Sequence, residues 1–157
     1  MEKRKIIKIG LILALVGVLV AGSVGFYMFN VPHRDVQSQE VDFSLTTSEI
    51  VSEYLSDMDA ANEKYLAADG DSKILAISGT ISKISEDFSG QKVVLLKETA
   101  DKAGVSTSFT EETNANASEL KVGQKVTIKG VIRSGAAYDE DLEMYEHVIL
   151  DKCDIVN

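Results

Sequence analysis

Hydrophobic and polar positions divide this chain into three successive patterns. From Ile9 to Phe29 the chain is apolar and carries no charge. These twenty-one residues, at about 1.5 Å of helical rise each, reach roughly 30 Å, the thickness of a bilayer's hydrocarbon core, and predict a transmembrane helix over 9–29. Residues 30–44 hold the chain's one proline and little apolar periodicity, which predicts an extended juxtamembrane linker. From Thr47 to about Ala67, Ile50, Val51, Tyr54, Leu55, Met58, Ala61 and Tyr65 recur at helical spacing, so one amphipathic helix is expected there. Thr46 followed by Glu49 reads as a capping box, and Leu45 with Ile50 as a hydrophobic staple around it.

Beyond Lys73 the spacing changes to that of strands. KILAISGTISKIS, QKVVLLKE, VSTSFTEE, QKVTIKGVIRSG and MYEHVILDKCDIV are five β-rich segments, with a short helical piece expected around Ala117–Leu120. Gly79 and Gly130 interrupt the first and fourth segments, where a bulge or sharp bend would let a strand coil round a barrel. A long helix, three strands, a helical link and two strands predict a small Greek-key barrel, mainly β with α.

Charge sets the orientation. Lys3, Arg4, Lys5 and Lys8 precede the apolar run, so residues 1–8 are expected to be a cytoplasmic basic tail and residues 45–157 an exported domain. The competing reading is a cleaved signal peptide with Ala21, Gly22 and Ser23 at the cleavage site. No cysteine stands at the end of the hydrophobic region, so a lipid-modified cysteine is not expected there. Gly17, Ala21 and Gly25 share one helix face and would admit a homodimer through close helix approach. Residues 35–157 carry 11 basic and 24 acidic side chains, a net charge of −13, which opposes a phosphate backbone. Cys153 is alone, so no intrachain disulfide or cysteine-zinc cluster is available.

Five segments stand out together: Pro32-His33-Arg34-Asp35-Val36, Asn62-Glu63-Lys64-Tyr65, Ile77-Ser78-Gly79-Thr80-Ile81, Leu120-Lys121-Val122-Gly123-Gln124 through Gly130, and Leu150-Asp151-Lys152-Cys153-Asp154-Ile155-Val156. With them the chain resembles the tRNA-anti-like OB-fold family, many of whose members are small bacterial proteins with one N-terminal membrane segment. The resemblance implies a five-stranded OB barrel and no assigned activity. An OB fold that stacks single-stranded nucleic acid needs aromatic platforms on its second and third strands. Those strands offer one ring, Phe109, so single-stranded nucleic acid or tRNA binding is the second reading and nucleic acid is not the expected partner.

Neither His33 nor His147 belongs to a catalytic motif, and the acidic run Asp139, Glu140, Asp141, Glu143 and Glu146 lacks EF-hand register. No catalytic residue, metal site or cofactor is therefore expected. The leading expectation is a non-catalytic module in the cell envelope, single-pass in an inner or plasma membrane, that binds a protein partner or a small ligand. The exposed-loop aromatics Phe88 and Tyr138 are its candidate contacts.

Overall fold

The computed structural model describes residues 2–29 and 35–156. Pro32, His33 and Arg34, read above as part of the linker, lie outside the described residues. The chain forms two compact units, one N-terminal and one beginning at Asp35. The first is a single helix, α1 (Glu2–Phe29), so the helix already includes the basic residues before the apolar run. Its stretch Ile7–Phe29 is long and apolar enough to cross a membrane.

The second unit begins earlier than the 30–44 linker predicts. Val36 is buried with Ile74 and Val131. The Lys129 ammonium donates to the carbonyls of Gln37 (2.9 Å) and Gln39 (2.5 Å), and Gln37 Nε2 donates to the Lys152 carbonyl at 2.6 Å. Residues 35–42 are thus strapped onto the domain through main-chain acceptors, a role their composition does not reveal. The strap leads into β1 (Phe43–Thr46), which pairs in parallel with the start of β2 (Ile74–Glu86), Phe43 opposite Leu75 and Thr46 opposite Ser78.

Thr46 ends β1 and caps α2 (Thr47–Ser56). Its Oγ1 accepts from the Glu49 N–H at 3.2 Å, while a Glu49 carboxylate oxygen accepts from the Thr46 N–H at 2.7 Å, both halves of the expected box. The single helix over 47–67 does not form. Asp57, with extended backbone angles, donates its N–H to the Glu53 carbonyl and so closes α2; its carboxylate accepts from the Ala60 N–H at 3.1 Å and opens α3 (Met58–Tyr65). One residue thus ends one helix and starts the next.

β2 is shared between two partners. Ile74–Thr80 pair antiparallel with β5 (Lys125–Ser134), and Ile81–Glu86 with β3 (Lys92–Leu96). β3 pairs with β4 (Val105–Phe109), and the last barrel strand, β8 (Val148–Ile155), lies between β4, to which it is parallel, and β5, to which it is antiparallel. The order β2-β3-β4-β8-β5 closes back on β2. This is the OB barrel implied by the resemblance. The short helix α4 (Asn114–Ala117) falls slightly before the predicted 117–120, and Asn114 Oδ1 accepts from the Lys92 N–H at 2.7 Å, tying it to the start of β3.

The two strand glycines differ in purpose. At Gly130 the β5–β8 register shifts, and a Cβ there would sit 2.5 Å from Cys153 Sγ, so this glycine is a bulge under a close neighbour. Gly79 sits in an unbroken ladder with β5, and the irregularity comes after Ile81. A Cβ at Gly79 would run into Thr47 Oγ1. The glycine admits the start of α2 and does not mark the bend that the strand pattern predicts.

Candidate ligand groove

Alternation along β4 sends Val105, Thr107 and Phe109 inward, and Phe109 is buried. Outward from β3 and β4 point Val93, Leu95, Ser106 and Ser108, so this sheet face presents no ring. Of the two candidate contacts, Phe88 stands at the tip of the β2–β3 turn, fully exposed at 113%. There Asp87 Oδ1 accepts from the N–H groups of Ser89 (2.8 Å) and Gln91 (2.9 Å), and Gly90 takes a positive φ of 77°.

Tyr138 lies in the β5–β8 connection, which holds a hairpin of its own. β6 (Ala137–Asp139) pairs with β7 (Met144–Glu146), Tyr138 opposite Tyr145. The fifth segment, predicted as one strand from Met144, is therefore broken at His147 into a hairpin arm and β8. Asp139 Oδ1 accepts from the N–H groups of Asp141 and Leu142, both at 2.9 Å, and Glu143 turns the chain with φ 51°. Phe88 and Tyr138 are not brought together. The turn bearing Phe88 adjoins α4 at the start of β3, whereas the hairpin adjoins the β3–β4 connection at the other end of that strand, roughly 15 Å along.

Between the α2–α3 corner and the hairpin runs a groove of about 390 Å³. Tyr54, Leu55 and Met58 form one side, Tyr138 and Tyr145 the other, with Ala136 and Lys102 between them. The rings of Tyr138 and Tyr145 lie 4.8 Å apart at 53°, and the Lys102 ammonium stands 5.6 Å from the Tyr145 ring centre. Met58, expected on the apolar helix face, is 48% exposed because the break at Asp57 re-aims it, and Tyr138 is 50% exposed. Tyr54 is only 2% exposed, and its hydroxyl has no hydrogen-bond partner among the described residues. Burial pushes its pKa up to about 12, so it stays a neutral phenol. Tyr65, its ring neighbour at 6.0 Å, is satisfied: its hydroxyl donates to Glu53 at 2.8 Å.

Gly135 makes room for Tyr54, since a Cβ there would collide with the ring. His147 anchors the hairpin's far end, its Nδ1 accepting from the Gly104 N–H at 3.0 Å. Burial and then the Lys97 charge hold its pKa below the usual imidazole range. Among the described residues no group of three or more His, Cys, Asp or Glu side chains has metal-binding geometry. Sequence reasoning found Tyr138 but not Tyr145 or Lys102, and it placed Tyr54 and Met58 on a core face. The turn signal of Asp139 was the available clue to the hairpin.

A closed five-stranded barrel with its recess beside the connection between the fourth and fifth barrel strands defines an OB-fold domain. The chain belongs to the tRNA_anti-like family, whose model matches residues 1–140. Among solved structures it is similar to a lipoprotein from Klebsiella pneumoniae described as nucleic acid-binding. That match has a TM-score of 0.51 and 18% identity, covering 81% of this chain and 100% of that one. It is also aligned with a chain of the yeast Stn1 and Ten1 structure at a TM-score of 0.36 and 12% identity, over 78% of this chain and 66% of that one. No curated protein matches.

Proposed function

We propose that this protein is a membrane-tethered, non-catalytic OB-fold module whose domain faces the periplasm or cell exterior and binds a protein partner or small ligand. The observation that carries the binding site is the groove beside the β6–β7 hairpin, a loop region that OB folds use for ligands, with a buried hydroxyl left unpartnered in its wall. The tether is α1, and the cations preceding it favour an N-terminus in the cytoplasm. Phe88, at the other loop, is a second contact in this reading. The face of Gly17, Ala21 and Gly25 would bring two copies together, so Gly17→Leu with Gly25→Leu should abolish a cross-linked dimer formed in membranes.

The test of location is a Ser89→Cys variant labelled with a membrane-impermeant maleimide on intact cells, after any outer membrane is permeabilised. Cys153 is buried with its thiol pKa raised by that burial, so it stays silent. Labelling in the membrane fraction is the expected result; protection until the inner membrane is lysed overturns the exported placement.

Single-stranded nucleic acid is the second reading, favoured by the description of the Klebsiella lipoprotein. Against it stand the net charge of −13 over residues 35–157 and the ring-free face of β3 and β4. Anisotropy of a labelled oligothymidylate at about 0.15 M salt separates the two. No saturable binding up to about 10 μM is expected, and tighter binding would make nucleic acid the ligand.

A further inference from the structure

We infer that the groove between the Asp57 corner and the β6–β7 hairpin receives an extended, cationic amphipathic peptide segment of a partner protein, an apolar side chain entering against Tyr54 and Tyr138. This inference rests on the binding-module reading and names the chemistry of the partner. Four observations converge on it. The groove walls are aromatic and aliphatic, and Tyr138, Leu142 and Met144 leave much of their apolar surface in water on one hairpin. The same hairpin carries Asp139, Glu140, Asp141, Glu143 and Glu146 outside the groove lining, in a domain of net charge −13 over residues 35–157, so the field beside the groove attracts a cation.

The third observation is the Tyr54 hydroxyl. Among the described residues it is buried without a partner, which costs stability in the free domain, and a peptide main-chain group entering the groove would satisfy it. Lastly, β6 and β7 make a sheet of two strands, so among the described residues each has one side without a ladder partner, the arrangement that an added extended strand completes. Lys102, its ammonium 5.6 Å from the Tyr145 ring centre, is the one charged side chain in the groove lining, so the apolar side chain enters there and the peptide's cations lie outside, toward the hairpin carboxylates. Anionic lipid and nucleic acid meet repulsion from the acidic hairpin and the domain's net negative charge, and a second copy would bring the same carboxylates.

The test uses the full chain in phosphatidylcholine nanodiscs and a fluorescein-labelled twelve-residue peptide of alternating lysine and leucine. A glutamate-leucine peptide and empty nanodiscs are the controls. Saturable binding of the lysine peptide alone is expected, with affinity at least about fivefold weaker in Tyr138→Ala. Tyr54→Phe keeps the ring and removes the orphan hydroxyl. It should weaken binding about threefold while leaving the denaturant midpoint unchanged or higher, a combination that a purely structural role would not give. Glu140→Gln with Asp141→Asn and Glu143→Gln should flatten the salt dependence.

Equal binding of the glutamate peptide would overturn the proposal, as would an affinity unmoved in both Tyr138→Ala and Tyr54→Phe. Competition by oligothymidylate at these residues would do the same. Because binding is read on purified protein, its failure alongside successful maleimide labelling in cells removes the peptide groove alone. Peptide binding with failed labelling removes the envelope placement alone.

Discussion

At Gly135 the difference between a hydrogen and a methyl group decides whether the groove exists, since any Cβ there meets the Tyr54 ring. Gly135→Ala should therefore displace the Tyr54 ring and cost about 1–3 kcal/mol of domain stability, read as a lower urea midpoint. A normal midpoint would mean that the ring has room the geometry does not show. His147 gives a second residue-scale test. Its folded pKa lies below the usual 6.5, so protonation favours the unfolded chain. The stability it contributes is complete above about pH 6.5 and is lost as pH falls from there through the folded pKa. Protonation also converts Nδ1 from an acceptor into a donor opposite the Gly104 N–H. The denaturant midpoint of the native protein should fall more between pH 8 and pH 5 than that of His147→Gln, and parallel curves would refute the role.

Among the elements, α2 is the most local in its determinants. Thr46→Ala removes one arm of the capping box and should lower stability by about 1 kcal/mol, with Asp57→Ala comparable through the loss of the α3 cap. Both are read from urea midpoints. The capping box was legible because Thr46 and Glu49 are three residues apart and meet within one turn. The break at Asp57 was not, because Met58, Ala61 and Tyr65 continue the helical spacing past it, and only the Asp57 main chain shows that the helix has stopped. β1 escaped notice for a different reason. Its four residues are too few to establish alternation, and its partner Leu75–Ser78 is about thirty residues on. The groove was legible only in Tyr138. Its other members come from α2, α3, the β3–β4 and β5–β6 connections, the start of β6 and β7, and the isolation of the Tyr54 hydroxyl is a product of tertiary packing that no spacing encodes.

For the molecule as a whole, the strand sequence and count were readable, while the closure pattern depends on which strand inserts where. β8 is the staple of the barrel, joined on one side to β4 and on the other to β5. It also contributes buried Val148, Leu150 and Cys153. Deleting residues 148–157 should leave no cooperative unfolding transition, measured by circular dichroism in urea; a retained sigmoidal transition would show that β2 to β5 hold a core alone. That position in the topology also sets a timetable. At about 5–20 residues per second, the 21 residues from the end of β5 to the end of β8 take on the order of a few seconds to synthesise. For that interval β4 and β5 lack the strand that joins them, so the barrel cannot close until β8 has been made.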